Sequence, residues 1–248
     1  MNVLLFSMPD SFEHMPTLAI RMPNGALASL AGNVDAHHRV AAADLVLVQD
    51  RVRQTVERLV SEWAPDVVGL SVMTFQRKTA RKVIALVRAL RPEASIVVGG
   101  YDPSLAPEHY EDSESGVDFI VSGEGDLTFR ELLRALEDEA KGQRPKAEGV
   151  TSDPMFSKLG SIAGLSYRGA DSQFVRNPPR AVSHLDGEIR PPNRAARVLT
   201  GYTLMGRQVD IVETSRGCTY DCSFCSIIEM RGRNFHTWSY DRVIAWTM

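Results

Sequence analysis

Every cysteine of this 248-residue chain lies in one stretch, Thr214-Ser-Arg-Gly-Cys-Thr-Tyr-Asp-Cys-Ser-Phe-Cys-Ser-Ile227. Cys218, Cys222 and Cys225 form a C-x3-C-x2-C pattern. Thiolates suit iron-sulfur clusters and zinc, and a compact loop can place three of them round one centre. A cubane cluster ordinarily takes four ligands, so three cysteines leave one iron open to a small molecule. An open coordination position is where a metal site does chemistry rather than bracing. Two other readings stand beside this one. Zinc could use the three cysteines with His236, although structural zinc sites more often present cysteine pairs separated by a longer loop. Cys222 and Cys225 also form a C-x-x-C, but it does not open a helix in a thioredoxin-like unit, and Cys218 would have no role.

The composition sets the background for that loop. Hydrophobic residues at 44%, charged residues at 24% and a formal net charge of -3 are those of a soluble globular chain with no large basic field, so no nucleic-acid partner is indicated. An odd number of cysteines packed into one loop does not read as a secreted disulfide framework; it points to a reducing, cytoplasmic setting and to metal. The apolar start, Asn2 to Phe6, lacks a basic leader and is far shorter than the ~18 residues of a membrane span. It reads as a buried strand. The acidic runs Glu111-Asp-Ser-Glu114 and Glu137-Asp-Glu139 read as solvated helix ends and loops without a chemical role.

The elements that must position the loop alternate in a regular way. Apolar runs at Asn2 to Phe6, Arg39 to Asp44, Val67 to Ser71, Ser95 to Gly99 and Asp118 to Ser122 predict five parallel strands. Helical faces fall between them: Val52, Val56, Leu59, Val60 and Trp63; Ala80, Val83, Ile84, Val87 and Leu90; and Phe129, Leu132, Leu133 and Leu136. A further helix around Thr17 to Ala31 is interrupted by Pro23 and Gly25. The fold class that follows is α/β: a doubly wound, flavodoxin-like (Rossmann-like) parallel sheet in the order 2-1-3-4-5. Ligands of such sheets sit at the carboxyl ends of the strands. Ser71, Met73 and Thr74, then Gly99-Gly100, then Gly123-Glu124-Gly125 fall there, either as ordinary turns or as a place where backbone approaches a bulky ligand. There is no GxGxxG and no P-loop. Past Lys141 the prolines, among them Pro145, Pro154, Pro178-Pro179 and Pro191-Pro192, mark a connector with a small hairpin. The expected division is therefore a first domain over 1–140, a connector over 141–206 and a last segment over 207–248. In that segment a strand at Val209 to Val212 leads into the cysteines, and a helix begins near Ser239.

The run Cys218-x3-Cys222-x-Phe224-Cys225 straight after a strand resembles the signature of the radical S-adenosylmethionine superfamily. The resemblance implies a [4Fe-4S] cluster on Cys218, Cys222 and Cys225. S-adenosylmethionine would fill the open iron, reductive cleavage would give a 5'-deoxyadenosyl radical, and Phe224 would lie near the adenine. The order of an α/β domain, a proline-rich hairpin connector and this loop resembles the subfamily with an N-terminal cobalamin-binding domain. On that resemblance Ser71, Met73, Thr74, Gly99, Gly100, Gly123, Glu124 and Gly125 contact cobalamin. Gly164-Leu-Ser-Tyr-Arg168, Asn177-Pro178-Pro179 and Leu185-Asp186 resemble its connector.

One departure from that family is visible. Many cobalamin domains carry Asp-x-His-x-x-Gly after the first strand, whose histidine ligates cobalt. This chain has Ser7-Met-Pro-Asp10 there, with His14 out of context, and Asp35-Ala-His37-His-Arg-Val40 ends in valine. His37 and His38 therefore read as loop or surface histidines, and cobalamin is expected without a histidine on cobalt.

The family's barrel is expected to be only begun within these residues, with its glycine-rich S-adenosylmethionine segment missing and the strand before the loop unpaired unless another element or chain covers it. The activity implied is a cobalamin-dependent radical enzyme, of methyltransferase or cyclase type, incomplete and inactive alone. Its partners would be a small-molecule substrate, an electron donor such as flavodoxin or ferredoxin, and a separate chain completing the barrel. A stand-alone cobalamin-binding module and a zinc-stapled scaffold are the alternatives.

Overall fold

The computed structural model describes residues 1–9, 20–141, 158–182 and 184–247. Asp10, His14, residues 17–19 of the first expected helix, Pro145 and Pro154 lie outside the described residues.

β1 (Asn2–Ser7), β3 (Arg39–Asp44), β4 (Val67–Ser71), β5 (Ser95–Gly99) and β6 (Phe119–Val121) pair in parallel in the order β3-β1-β4-β5-β6. That is the expected 2-1-3-4-5. Such strands are buried on both faces, which is why they read as continuous apolar runs. Leu4, Phe6, Val68, Leu70, Ile96, Val98 and Ile120 pack against α2 (Val52–Trp63) and α3 (Arg77–Leu90). Val3, Leu5, Val67, Val97, Phe119 and Val121 face α1 (Gly25–Asn33) and α5 (Gly125–Ala140), meeting Leu27, Ala31, Phe129, Leu132 and Leu133.

The connector does not stand apart from this sheet. β7 (Leu165–Arg168) joins β6 antiparallel and β8 (Phe174–Arg176) joins β7, giving seven strands. A three-stranded sheet forms elsewhere from β2 (Ile20–Arg21), β9 (Thr203–Leu204) and β10 (Arg207–Gln208). The helix Leu185–Glu188 and the chain around Trp238 and Trp246 make a third apolar cluster, with the two indoles edge to face at 4.9 Å.

Five expectations are corrected. Residues 209–212 are not a strand; the strand is β11 (Ser215–Cys218). Its edge is not unpaired either, because β12 (Asn234–Thr237) runs antiparallel to it, with Arg216 opposite His236 and Cys218 opposite Asn234. The first described helix begins at Gly25, where Asn24 caps it by accepting from the Ala26 N–H at 3.0 Å, so Pro23 and Gly25 start a helix rather than interrupt one. His37 is exposed, but His38 is buried, and that burial lowers its pKa from 6.5. In α3, Leu90 is 41% exposed and leaves the buried face predicted for it.

Candidate functional site

The parallel register aligns the strand ends. Asp44, Ser7, Ser71, Gly99 and Val121 form one row across the sheet, so small or polar residues stand at its carboxyl edge from β3 to β5. On the face toward α1 and α5, β4 carries Gly69 between Val67 and Ser71. A Cβ at Gly69 would stand 2.7 Å from Leu5 Cδ2 and 3.8 Å from the Phe129 ring. With no side chain there, the sheet and the two helices fail to close.

The result is a cavity of about 470 Å³, inside the roughly 300–1,000 Å³ range of small-molecule sites. Leu5, Gly69, Val97 and Val121 form its floor, and Leu27, Leu30 and Phe129 its helical wall. Ser71, Gly99, Gly100, Gly123, Glu124 and Gly125, six of the residues singled out in the sequence, line its mouth. Met73 and Thr74 do not line it; they are exposed beyond the end of β4, beside Phe75, which is 65% exposed.

Gly100 has φ +99° and ψ -162°, a region essentially limited to glycine, and a Cβ would meet the Val72 carbonyl oxygen at 2.9 Å. It turns the chain into α4 (Tyr101–Leu105), whose Ser104 Oγ donates to the Gly100 carbonyl at 2.6 Å and accepts from the Gly123 N–H at 2.9 Å. One hydroxyl thus ties two glycine turns of the mouth together. Asp102, at the start of the same helix, receives Arg77 Nε at 2.8 Å, Arg77 Nη2 at 2.6 Å and Tyr110 Oη at 2.6 Å.

The cysteine segment docks on this mouth. Arg216 is buried; its Nη1 donates to Asp126 Oδ2 at 2.6 Å, Nη2 to Ser29 Oγ at 2.9 Å and Nε to Glu213 Oε2 at 2.8 Å. Ser29 in turn donates to Asp126 Oδ1. Burial alone would weaken the guanidinium's hold on its proton, but the Asp126 and Glu213 carboxylates outweigh it and raise the pKa above the ordinary arginine range. Arg231, at the end of the helix Ile227–Arg231, pairs with Glu124. Ile211, Val212, Glu213, Arg216, Met230 and Arg231 therefore complete the cavity's wall.

Cys218 ends β11 and is half-buried, Cys222 is exposed, and Cys225 is half-buried with its N–H donating to the Cys222 carbonyl at 3.0 Å. Gly217 sits at φ +92°, where a Cβ would run into the Asn234 backbone, so glycine before Cys218 lets β12 approach. Phe224 is 91% exposed beside the last thiol. Among the described residues, the set of three ligand atoms gathered within 4.8 Å is His37, His38 and Glu137, and neither the cysteines nor His236 belong to it. Tetrahedral zinc would hold thiolates roughly 3.8 Å apart at Zn–S distances of about 2.3 Å. The loop as folded is therefore not closed round a single such ion.

Sequence reading missed Gly69, Ser104, Asp126 and Arg216. Gly69 lay inside an apolar strand; only its face decides its meaning. Arg216 was quoted within the cysteine stretch, yet its partner is 90 residues away.

A sheet whose cavity opens at the carboxyl row, walled by glycines and two helices, defines a doubly wound α/β ligand-binding domain. Residues 14–133 match the B12 binding domain. The chain is 30% identical over 245 residues to an uncharacterised methyltransferase of Pyrococcus horikoshii, covering 98% of this chain and 49% of that protein. It is 28% identical over 162 residues to the cobalamin-dependent radical SAM methyltransferase TokK of Streptomyces tokunonensis, covering 65% of this chain and 22% of that protein. Its fold is similar to that of the radical S-adenosylmethionine methyltransferase TsrM from Kitasatospora setae, solved with tryptophan and a SAM analogue. That likeness has a TM-score of 0.68 at 20% identity and covers 100% of this chain and 45% of TsrM. A second TsrM structure, with cobalamin and a [4Fe-4S] cluster bound, matches with a TM-score of 0.66 at 20% identity over 99% of this chain and 45% of that one. The chain thus carries a B12-binding domain and has cobalamin-dependent radical SAM methyltransferases among its relatives, and it spans half or less of the length of the proteins it matches.

Proposed function

We propose that the glycine-lined cavity holds the nucleotide tail of cobalamin, and that Cys218, Cys222 and Cys225 hold a [4Fe-4S] cluster serving S-adenosylmethionine-dependent radical chemistry on a small molecule. The observation that carries this reading is the pair of ion contacts, Arg216 to Asp126 and Arg231 to Glu124, which fasten the cysteine segment to the cavity's own wall.

The residues fit both groups. A largely apolar space floored by Leu5, Gly69 and Val97 accepts a flat heterocycle, and the exposed rim of Met73, Thr74 and Phe75 is left for the face of the corrin. Three thiols on one loop match a cubane with an open iron. Bound there, the cluster supplies an electron for cleaving the sulfonium and the corrin supplies a methyl carrier, while the protein supplies their alignment. Phe224, open to solvent beside Cys225, would stack on the adenine, and its exposure supports that reading. His37 and His38 precede β3 and so lie at the opposite end of the sheet from the cavity, which favours cobalamin without a histidine on cobalt. Methylation or cyclisation is the reaction class, with flavodoxin or ferredoxin as electron donor. The connector is read as residues 141–206 between the B12 unit, 1–140, and the cluster unit, 207–248.

The test is anaerobic reconstitution with iron and sulfide, then titration with hydroxocobalamin. The expected result is about four irons per chain, one equivalent of cobalamin, and a cobalt spectrum without a nitrogen ligand from the protein. Iron-free, colourless material that binds no corrinoid would overturn the proposal.

A further inference from the structure

Away from the cofactor cavity, ligand atoms converge where the loop between α1 and β3 meets the last turns of α5. His37 Nε2 lies 2.9 Å from Glu137 Oε2, and His38 Nε2 lies 3.7 Å from the same oxygen. All three ligand atoms fall within 4.8 Å of one another. A first-row ion held at about 2.0–2.1 Å by nitrogen and oxygen sets tetrahedral ligand atoms roughly 3.3 Å apart, a spacing those two distances bracket. The His38 side chain is fully buried, yet its Nε2 has no hydrogen-bond partner, while Nδ1 is taken by the Met1 amino group at 3.2 Å. A buried polar atom without a partner calls for an explanation, and a bound ion is one of the few available. His37, 57% exposed at its side chain, gives the pocket an entrance.

We propose that His37, His38 and Glu137 form a binding site for a first-row divalent transition-metal ion such as zinc, separate from the cysteine loop, with solvent completing the coordination. The ion takes Nε2 of both imidazoles and Oε2 of Glu137. Lys141, 2.7 Å from Glu137 Oε1, keeps the other carboxylate oxygen. Coordination uses the Nε2 lone pair of His38, which puts the ring's proton on Nδ1, the atom beside the Met1 nitrogen. The nearby guanidinium of Arg134 is turned to Asp35, at 2.6 Å, and does not compete for Glu137. The site joins the end of α1 to α5, the two helices that wall the cofactor cavity, and so fixes their spacing at the opposite end of the sheet from that cavity.

The full chain carrying Cys218→Ser, Cys222→Ser and Cys225→Ser removes the competing thiolates, and zinc is titrated against a chromophoric chelator. One equivalent is expected to bind and to raise Tm. His37→Ala and Glu137→Gln, each added to that background, are expected to weaken zinc at least about tenfold and to abolish the Tm increase. Their circular dichroism should stay that of the parent, because His37 is exposed and glutamine preserves shape. No zinc bound by the cysteine-free chain, or an affinity in the two added variants unchanged from that parent, would overturn the site.

Discussion

Arg216 Nη1 lies 2.6 Å from Asp126 Oδ2, both side chains less than a tenth exposed, so the residue two places before the first cysteine is bonded to the first turn of α5. Removing one member leaves the other buried without its counter-charge. Breaking such a pair costs about 3–5 kcal/mol. Arg216→Met should therefore lower the urea midpoint by that equivalent, and Arg216→Met with Asp126→Leu should recover part of the loss. A single-variant change below about 1 kcal/mol would place the pair among ordinary surface bridges.

Gly69→Val puts a branched side chain where the cavity floor is open, against Leu5 and Phe129. The cost in stability should stay near the ~1–3 kcal/mol of overpacking, since the cavity itself offers room. Hydroxocobalamin affinity should fall by at least about tenfold, or 1.4 kcal/mol. Unchanged affinity in a titration followed by absorbance would show that the ligand does not enter the cavity.

Loss of the cluster should leave corrinoid binding intact. Cys222 is exposed, and the segment is held by Arg216 and Arg231 rather than by its thiols. Cys222→Ala should abolish the visible absorption of the reconstituted cluster while cobalamin binding changes less than about twofold, or 0.4 kcal/mol. Parallel loss of both would mean that the cluster itself builds the cavity.

Asp102 gives a pH dependence of definite sign. Burial alone would raise its pKa, but hydrogen bonds from Arg77 and Tyr110 outweigh burial and hold it below the ordinary 3.8. A folded-state pKa below the unfolded one favours the native state above the unfolded value, and the benefit disappears as pH falls through the folded one. Arg77→Met should raise the Asp102 pKa and be most destabilising at neutral pH. The gap between the wild-type and variant urea midpoints should narrow on acidification below about pH 4. Parallel curves would contradict this.

The five parallel strands were readable because burial on both faces leaves an uninterrupted apolar run, and their order followed from the rules of right-handed crossovers. Pairings set by distant partners were not readable. β11 is Ser-Arg-Gly-Cys, with no strand-like pattern of its own, and becomes a strand through residues 234–237. Val209, Ile211 and Val212 have the apolar character of a strand, but Ile211 and Val212 spend it on the cavity wall. Six of the mouth residues could be picked out as glycines and polar groups after strands, whereas the meaning of Gly69 depends on facing Leu5 and Phe129 rather than α3. The Pro23-Asn24-Gly25 sequence carried a helix-start signal in its Asn24 cap, outweighed by its two breakers.

Because Cys218 stands opposite Asn234, residues 219–233 are the tip of a tied antiparallel ribbon. Their two ends cannot drift apart while that ladder holds, so the entropy of bringing distant chain together is spent before any inorganic ligand arrives. Changes of length within the tip are then absorbed locally. A one-residue slip of the ribbon is another matter: it would swing Arg216 to the opposite side and unmoor the whole tip from the neighbouring domain.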